Sequence, residues 1–148
     1  LNTDVPINEE VRSKLVFSDY RFDNIEFRIN PLFNFDKPID VQFTLSAEIK
    51  IIDDVTKSAV IIVGCRVFKN PKENNYPFTI DTTISGDFHF EGDIGDDEFV
   101  RFCETSGIAT LLPFIRTAIT NISTIANLPP LVLPLLNVKN LHMKIMDE

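Results

Sequence analysis

The sequence predicts an α+β fold, a four-stranded antiparallel sheet with a long main helix and short flanking helices on one face. Three observations predict it. Apolar residues recur with the two-residue period of strands through residues 14–91. Beyond Gly92 the period becomes helical, with one long stripe over residues 110–126. The strands come as a block before the helices and do not alternate with them, which separates this fold from a doubly wound parallel one.

In the first strand, residues 14–29, Leu15 and Phe17 share one parity, Tyr20 and Phe22 the other, and Ile25, Phe27 and Ile29 return to the first. Each phase change would flip side chains across a flat strand, so a long strand with bulges is expected. The second strand is regular. Val41, Phe43, Leu45, Ala47, Ile49 and Ile51 alternate with Gln42, Thr44, Ser46, Glu48 and Lys50, leaving one face wet. Asp53 and Asp54 form the turn. The third strand, 58–68, is apolar on both parities from Ala59 to Val63, which predicts cover on both faces. Residues 70–77 are polar, contain two prolines and read as an exposed loop. In the fourth strand, 78–91, Ile80, Ile84, Phe88 and Phe90 face inward, and Gly86 marks a bulge or a close approach.

Asp96 or Asp97 can cap a short helix carrying Phe99, Phe102 and Cys103, which Thr105, Ser106 and Gly107 interrupt. Pro113 is tolerated only near a first turn, so the main helix is expected to begin near Leu111 or to bend there. Its apolar positions include Leu111, Leu112, Phe114, Ile115, Ala118, Ile119 and Ile122, a stripe wider than one sheet contact requires. Either a deep groove within the chain or a second subunit would cover the extra flank. Pro129 and Pro130 end the helix, residues 131–136 continue extended, and a short closing helix is expected over 139–146. The whole reads as a single domain, 1–148, with residues 1–13 as an N-terminal arm.

Composition narrows the function. Fourteen basic against twenty-two acidic residues give a net charge of −8, which argues against nucleic acid and anionic membranes as partners. Thirteen Phe with two Tyr and no Trp supply apolar area without polar handles. Cys65 and Cys103 sit in apolar stretches and are expected reduced and buried. No basic stretch followed by an apolar run opens the chain, so no secretory signal is visible, and the cytoplasmic location expected of it comes with the resemblance given below. His89 lies near Asp87 and Glu91 on a polar strand face, but no further metal ligand or proton-transfer partner is evident; His142 has no evident partner. The acidic run 91–98 lacks the ordered ligand positions of a calcium loop. There is no phosphate loop, GxSxG or HExxH, so neither catalysis nor a cofactor is expected. The informative segment is 128–138, with five leucines, two valines, three prolines and no charge. It is half the length of a membrane span, and it reads as an interaction strap or as a strap packed on its own core.

Two motifs carry a resemblance: Leu111-Leu112-Pro113-Phe114-Ile115-Arg116 opening the main helix, and Pro129-Pro130-Leu131-Val132-Leu133-Pro134-Leu135-Leu136-Asn137 after it. With the strands and Ser85–Gly92 before them, the chain resembles the SecB export-chaperone family over residues 14–141. The resemblance implies an ATP-independent holdase that binds unfolded polypeptides in an apolar groove, built as a homotetramer, a dimer of dimers with the main helices at its centre. It assigns peptide binding to Leu128, Leu131, Leu133 and Leu135, with Phe99, Phe102 and Phe114 beside them. It places Ile115, Ala118, Ile119 and Ile122 at the oligomer interface. Acidic side chains on the outer sheet dock the SecA motor in that family. Asp81 matches one of them, whereas Asn24 and Arg28 stand at the other two positions, which argues against SecA. Some relatives in the family instead hold an antitoxin, and a dedicated partner of that kind is the alternative to export.

Overall fold

The computed structural model describes residues 14–34, 36, 40–134 and 143–147, the last stretch by its backbone. The expected N-terminal arm, 1–13, lies outside the described residues. Four antiparallel strands form most of the sheet: β1 (Leu15–Ile29), β2 (Phe43–Asp53), β3 (Ser58–Val67) and β4 (Phe78–Phe90). A four-residue helix, α1 (Pro71–Asn74), interrupts the loop before β4, and β5 (Met143–Asp147) closes the chain. The spatial order is β1-β4-β3-β2-β5, with β5 parallel to β2.

The bulges of β1 solve its phase problem. Register shifts fall between Phe17 and Asp19 and between Phe22 and Asn24. One extra residue is absorbed at each, so Leu15, Phe17, Tyr20, Phe22, Ile25, Phe27 and Ile29 lie opposite Phe90, Phe88, Gly86, Ile84, Thr82, Ile80 and Phe78. All seven therefore share the inner face. β3 corrects an expectation. Ala59, Ile61, Val63 and Cys65 are buried, but Val60 and Ile62 on its other face are only half-buried, so helices cover one side alone.

The helical layer is α2 (Asp96–Phe102), a π-helical turn (Cys103–Gly107) and α3 (Ile108–Ile125), continuous without a break. Thr105, Ser106 and Gly107 thus widen the helix and do not interrupt it. The buried residues explain the widening. Phe99, Cys103, Gly107, Leu111, Ile115, Ile119 and Ser123 recur every four residues. Four residues overshoot an α-helical turn by about 40°, so the stripe would wind off the sheet. The wider turn takes up one residue and restores the facing. Gly107 is also a place where the helix approaches the sheet closely, since a Cβ there would collide with Ile61 Cδ1.

Other expectations are corrected. The N-cap is Gly95, not Asp96 or Asp97; these two and Glu98 occupy the first turn, where carboxylates favour the helix dipole. Pro113 lies inside α3 and does not start it. The carbonyl it leaves without a donor is that of Ala109, an exposed residue, so water can serve it. Of the closing helix expected over 139–146, residues 139–142 lie outside the described residues, and Met143–Asp147 pair with β2 as a strand. Five residues cannot hold a helix alone, and the β2 edge offers ready hydrogen bonds.

Candidate functional site

The site is built around α3 and the strap that follows it. At the helix end Asn127 takes a left-handed conformation, φ 62°. The Leu128 amide donates to the Ser123 carbonyl at 2.9 Å and the Asn127 amide to Thr124 at 3.0 Å. This paired closure reverses the chain, and Pro129 and Pro130 keep the next residues extended. The strap then runs back along α3.

Three side chains at helical spacing clamp it there. Arg116 Nε donates to the Leu133 carbonyl at 3.1 Å, Thr120 Oγ1 donates to the Leu131 carbonyl at 2.7 Å, and the Leu131 amide donates to Ser123 Oγ at 2.9 Å. Ser123 is fully buried, and its hydroxyl donates in turn to the Thr120 carbonyl at 2.7 Å. Leu133 is 1% exposed and belongs to the core, Leu128 and Leu131 pack partly against it, and Val132 points outward.

The other flank of α3 is open. An apolar groove of about 450 Å³ runs between it and the inner face of β1, lined by Tyr20, Phe22, Pro113, Phe114, Thr117, Ala118 and Asn121. Its floor is aromatic: Tyr20 and Phe114 have ring centroids 4.3 Å apart, and Phe17 lies 6.0 Å from each. The groove exists because β1 is the last strand of the sheet and α3 packs over β3 and β4, leaving the inner face of β1 half-covered. Further along the same strand Ile25 and Ile29 are exposed. Exposed apolar residues in such a row mark an interaction surface.

The sequence-derived residues divide accordingly. Phe114 lines the groove, and Phe102 is 38% exposed beside Phe90, at 5.4 Å between ring centroids. Phe99 is buried under α2 as part of the core. Leu133 is likewise sealed, and Leu135 lies outside the described residues. Ile115 and Ile119 are 0% exposed against their own sheet, so neither has surface left for a second subunit. Ala118 and Ile122 keep accessible surface. Tyr20 and Phe22, which the sequence places only on a bulged strand, line the groove beside Phe114. The bulges were legible, but not the edge position that uncovers the row.

On the outer face Asp81 sits between Glu26 of β1 and Arg66 of β3 in register. Arg66 Nη2 donates to Asp81 Oδ2 at 2.6 Å, so this carboxylate already has a partner. Asn24 and Arg28 lie on the same outer face, two residues either side of Glu26. Burial pushes the thiols of Cys65 and Cys103 up to about 12, which makes both inert. No cluster of three metal-ligating side chains occurs among the described residues. The helical run Asp96–Ile125 is long and apolar enough by composition to cross a membrane, but Leu111, Ile115 and Ile119 pack on the sheet, as in a core helix.

No protein-family model matches the chain. It is 26% identical over 131 residues to an uncharacterized protein of Methanocaldococcus jannaschii, covering 88% of this chain and 84% of that protein. Among solved structures it is similar to Rv1957, a SecB-like chaperone of Mycobacterium tuberculosis, in complex with a ChAD peptide from the HigA1 antitoxin. That match has a TM-score of 0.62 at 18% identity and covers 84% of this chain and 91% of the other. A protein of unknown function from Streptococcus agalactiae matches with a TM-score of 0.49 at 14% identity, covering 84% of this chain and 99% of that one. The four antiparallel strands and long helix are those of the Mycobacterium chaperone: the chain has the SecB-like fold.

Proposed function

We propose that this chain of SecB-like fold is an ATP-independent chaperone that holds unfolded polypeptides extended against the open flank of α3 and the inner face of β1. The observation that carries the reading is the aromatic groove between Tyr20, Phe22 and Phe114, together with the exposed apolar row that continues it along β1. Burying one guest Leu or Phe stabilises by roughly 1.5–3 kcal/mol. Ordering an extended guest costs about 1–2 kcal/mol per fixed backbone residue. A few anchors thus offset much of the ordering cost without dictating a guest sequence. Such binding favours the unfolded guest over its native state by mass action and needs no nucleotide.

Of the two settings, a dedicated partner such as an antitoxin is favoured over SecA-dependent export. The Mycobacterium neighbour is solved with an antitoxin peptide, and here Asp81 is paired with Arg66, while Asn24 and Arg28 stand where the resemblance to the export chaperones would place acidic docking residues. The proposal includes a cytoplasmic homotetramer that uses the accessible Ile122, which lies outside the guest groove that Ala118 lines, and neither inserts into membranes nor binds nucleic acid.

The test is suppression of light scattering by chemically denatured proteins diluted into buffer. The wild-type chain is expected to suppress it at near-stoichiometric ratios, and Tyr20→Asp to lose most of that effect while keeping its fold. Aggregation that proceeds unchanged with the wild-type chain present contradicts the reading. Ile122→Asp is expected to lower the assembly mass measured by multi-angle light scattering.

A further inference from the structure

We propose that a pocket at the far end of β1 binds an acidic segment of a partner protein, one with carboxylates on either side of an apolar residue. The pocket is separate from the aromatic groove, and the proposal does not depend on the chaperone reading.

The pocket has a volume of about 660 Å³, inside the range of roughly 300–1,000 Å³ common to ligand sites. β1 contributes Arg28 and Ile29 to its lining, and α1 contributes Lys72 and Glu73. Its two sides are stitched together by asparagines. Asn30 is 5% exposed; its backbone amide donates to the Pro77 carbonyl at 2.9 Å, and its Nδ2 donates to the carbonyls of Pro71 at 3.1 Å and Tyr76 at 2.9 Å. The Asn34 amide donates to Asn75 Oδ1 at 2.8 Å, and Asn75 Nδ2 donates back to the Asn34 carbonyl at 3.1 Å. Walls fixed in this way need little ordering when a ligand arrives, which favours binding.

The lining carries donors that the fold does not use. Arg28 and Lys72 are exposed, and neither has a hydrogen-bond or ion-pair partner among the described residues. The Asn70 side chain makes no capping bond to α1. Thr79 differs, since its hydroxyl already donates to the Val67 carbonyl at 3.1 Å. A guanidinium takes one carboxylate by two parallel bonds, and an ammonium takes a second as a point charge. Ile29, 54% exposed, and the rings of Pro31 and Pro71 offer apolar surface beside them.

Charge selects a short peptide over a polyanion. The chain carries −8 overall, and Glu73 adds a negative charge to the lining, so densely charged nucleic acid is repelled. A short segment with spaced carboxylates feels mainly the nearest charges, because screening weakens those beyond about 8 Å at physiological ionic strength.

Fluorescence anisotropy of a labelled, end-blocked peptide with glutamates flanking an isoleucine, titrated with the full chain, tests this. Saturable binding is expected, about tenfold or more weaker when glutamine replaces both glutamates. Arg28→Glu and Lys72→Glu are each expected to weaken it about tenfold or more, with unchanged circular dichroism and unchanged binding of an unfolded guest protein. No saturable binding, equal binding of the glutamine peptide, or wild-type affinity in either variant overturns the proposal and leaves the chaperone reading in place. Displacement of the peptide by single-stranded DNA of equal charge overturns it too, by showing a general anion patch. Should a variant unfold, the comparison of the two peptides on the wild-type chain decides alone.

Discussion

Arg66 and Asp81 face each other across β3 and β4, with the guanidinium nitrogen 2.6 Å from the carboxylate. The Arg66 side chain is about half exposed, so the pair is screened and worth at most about 1 kcal/mol. Its importance is occupancy: an outer-face carboxylate already neutralised is a weak docking point for a basic partner. Asp81→Asn is expected to lower stability by less than about 1 kcal/mol in urea unfolding and to leave guest binding unchanged. A large loss of guest binding would move the site to the outer face.

Gly107 is predicted to resist the substitution that helices usually welcome. Gly to Ala in a helix normally stabilises by up to about 1 kcal/mol. Here the new Cβ would collide with Ile61 Cδ1, in a side chain with no exposed surface. Overpacking of this kind costs about 1–3 kcal/mol, so Gly107→Ala should be destabilising overall in a denaturant titration. A stabilised variant would show that the π-helical turn can move away from the sheet.

The two cysteines predict a labelling pattern and a pH dependence. Both are free and buried, and burial is the first cause of their raised pKa, about 12. Thiol reagents should therefore label neither in the native state and both after denaturation, as mass spectrometry would record. The unfolded chain ionises its thiols above about pH 8.5 while the folded chain holds its protons, so unfolding is favoured as pH rises. Stability should fall from that pH upward, and a Cys65→Ala, Cys103→Ala double variant should fall less steeply.

Asp53 gives the opposite dependence. Its Oδ1 accepts the Val55 amide at 2.8 Å and the Thr56 amide at 3.2 Å, closing the β2–β3 turn. The Thr56 and then the Val55 amide hold its pKa below the ordinary value. A depressed carboxyl pKa contributes stability that is present at neutral pH and lost as pH falls through the folded-state value. The advantage of wild type over Asp53→Ala should therefore narrow below about pH 4, followed by thermal melts.

Much of this molecule was legible in its sequence. The alternation of β2, the phase breaks of β1 and the Asn127-Leu128-Pro129-Pro130 stop each encode a local backbone state, and local states follow from residue type. The site was less legible because its geometry depends on what lies beside each element. Ile119 and Ala118 are neighbours in one stripe, yet the first is sealed on the sheet and the second lines a groove. Which is which depends on α3 lying over β3 and β4 and not over β1. Leu133 is sealed because Arg116 and Thr120 hold the strap down. Those polar residues lie outside the apolar stripe of the helix, and only the chain reversal at Asn127 brings the strap onto them. The fifth strand depends on a free β2 edge, which no five-residue segment reports.

The most direct measurement compares one disulfide-bonded test protein in two forms, native and reduced-carboxymethylated, titrated against this chain by fluorescence anisotropy. The account predicts saturable binding of the unfolded form, no detectable binding of the native form, and loss of the binding in Tyr20→Asp. Equal binding of both forms, or none of either, would contradict it.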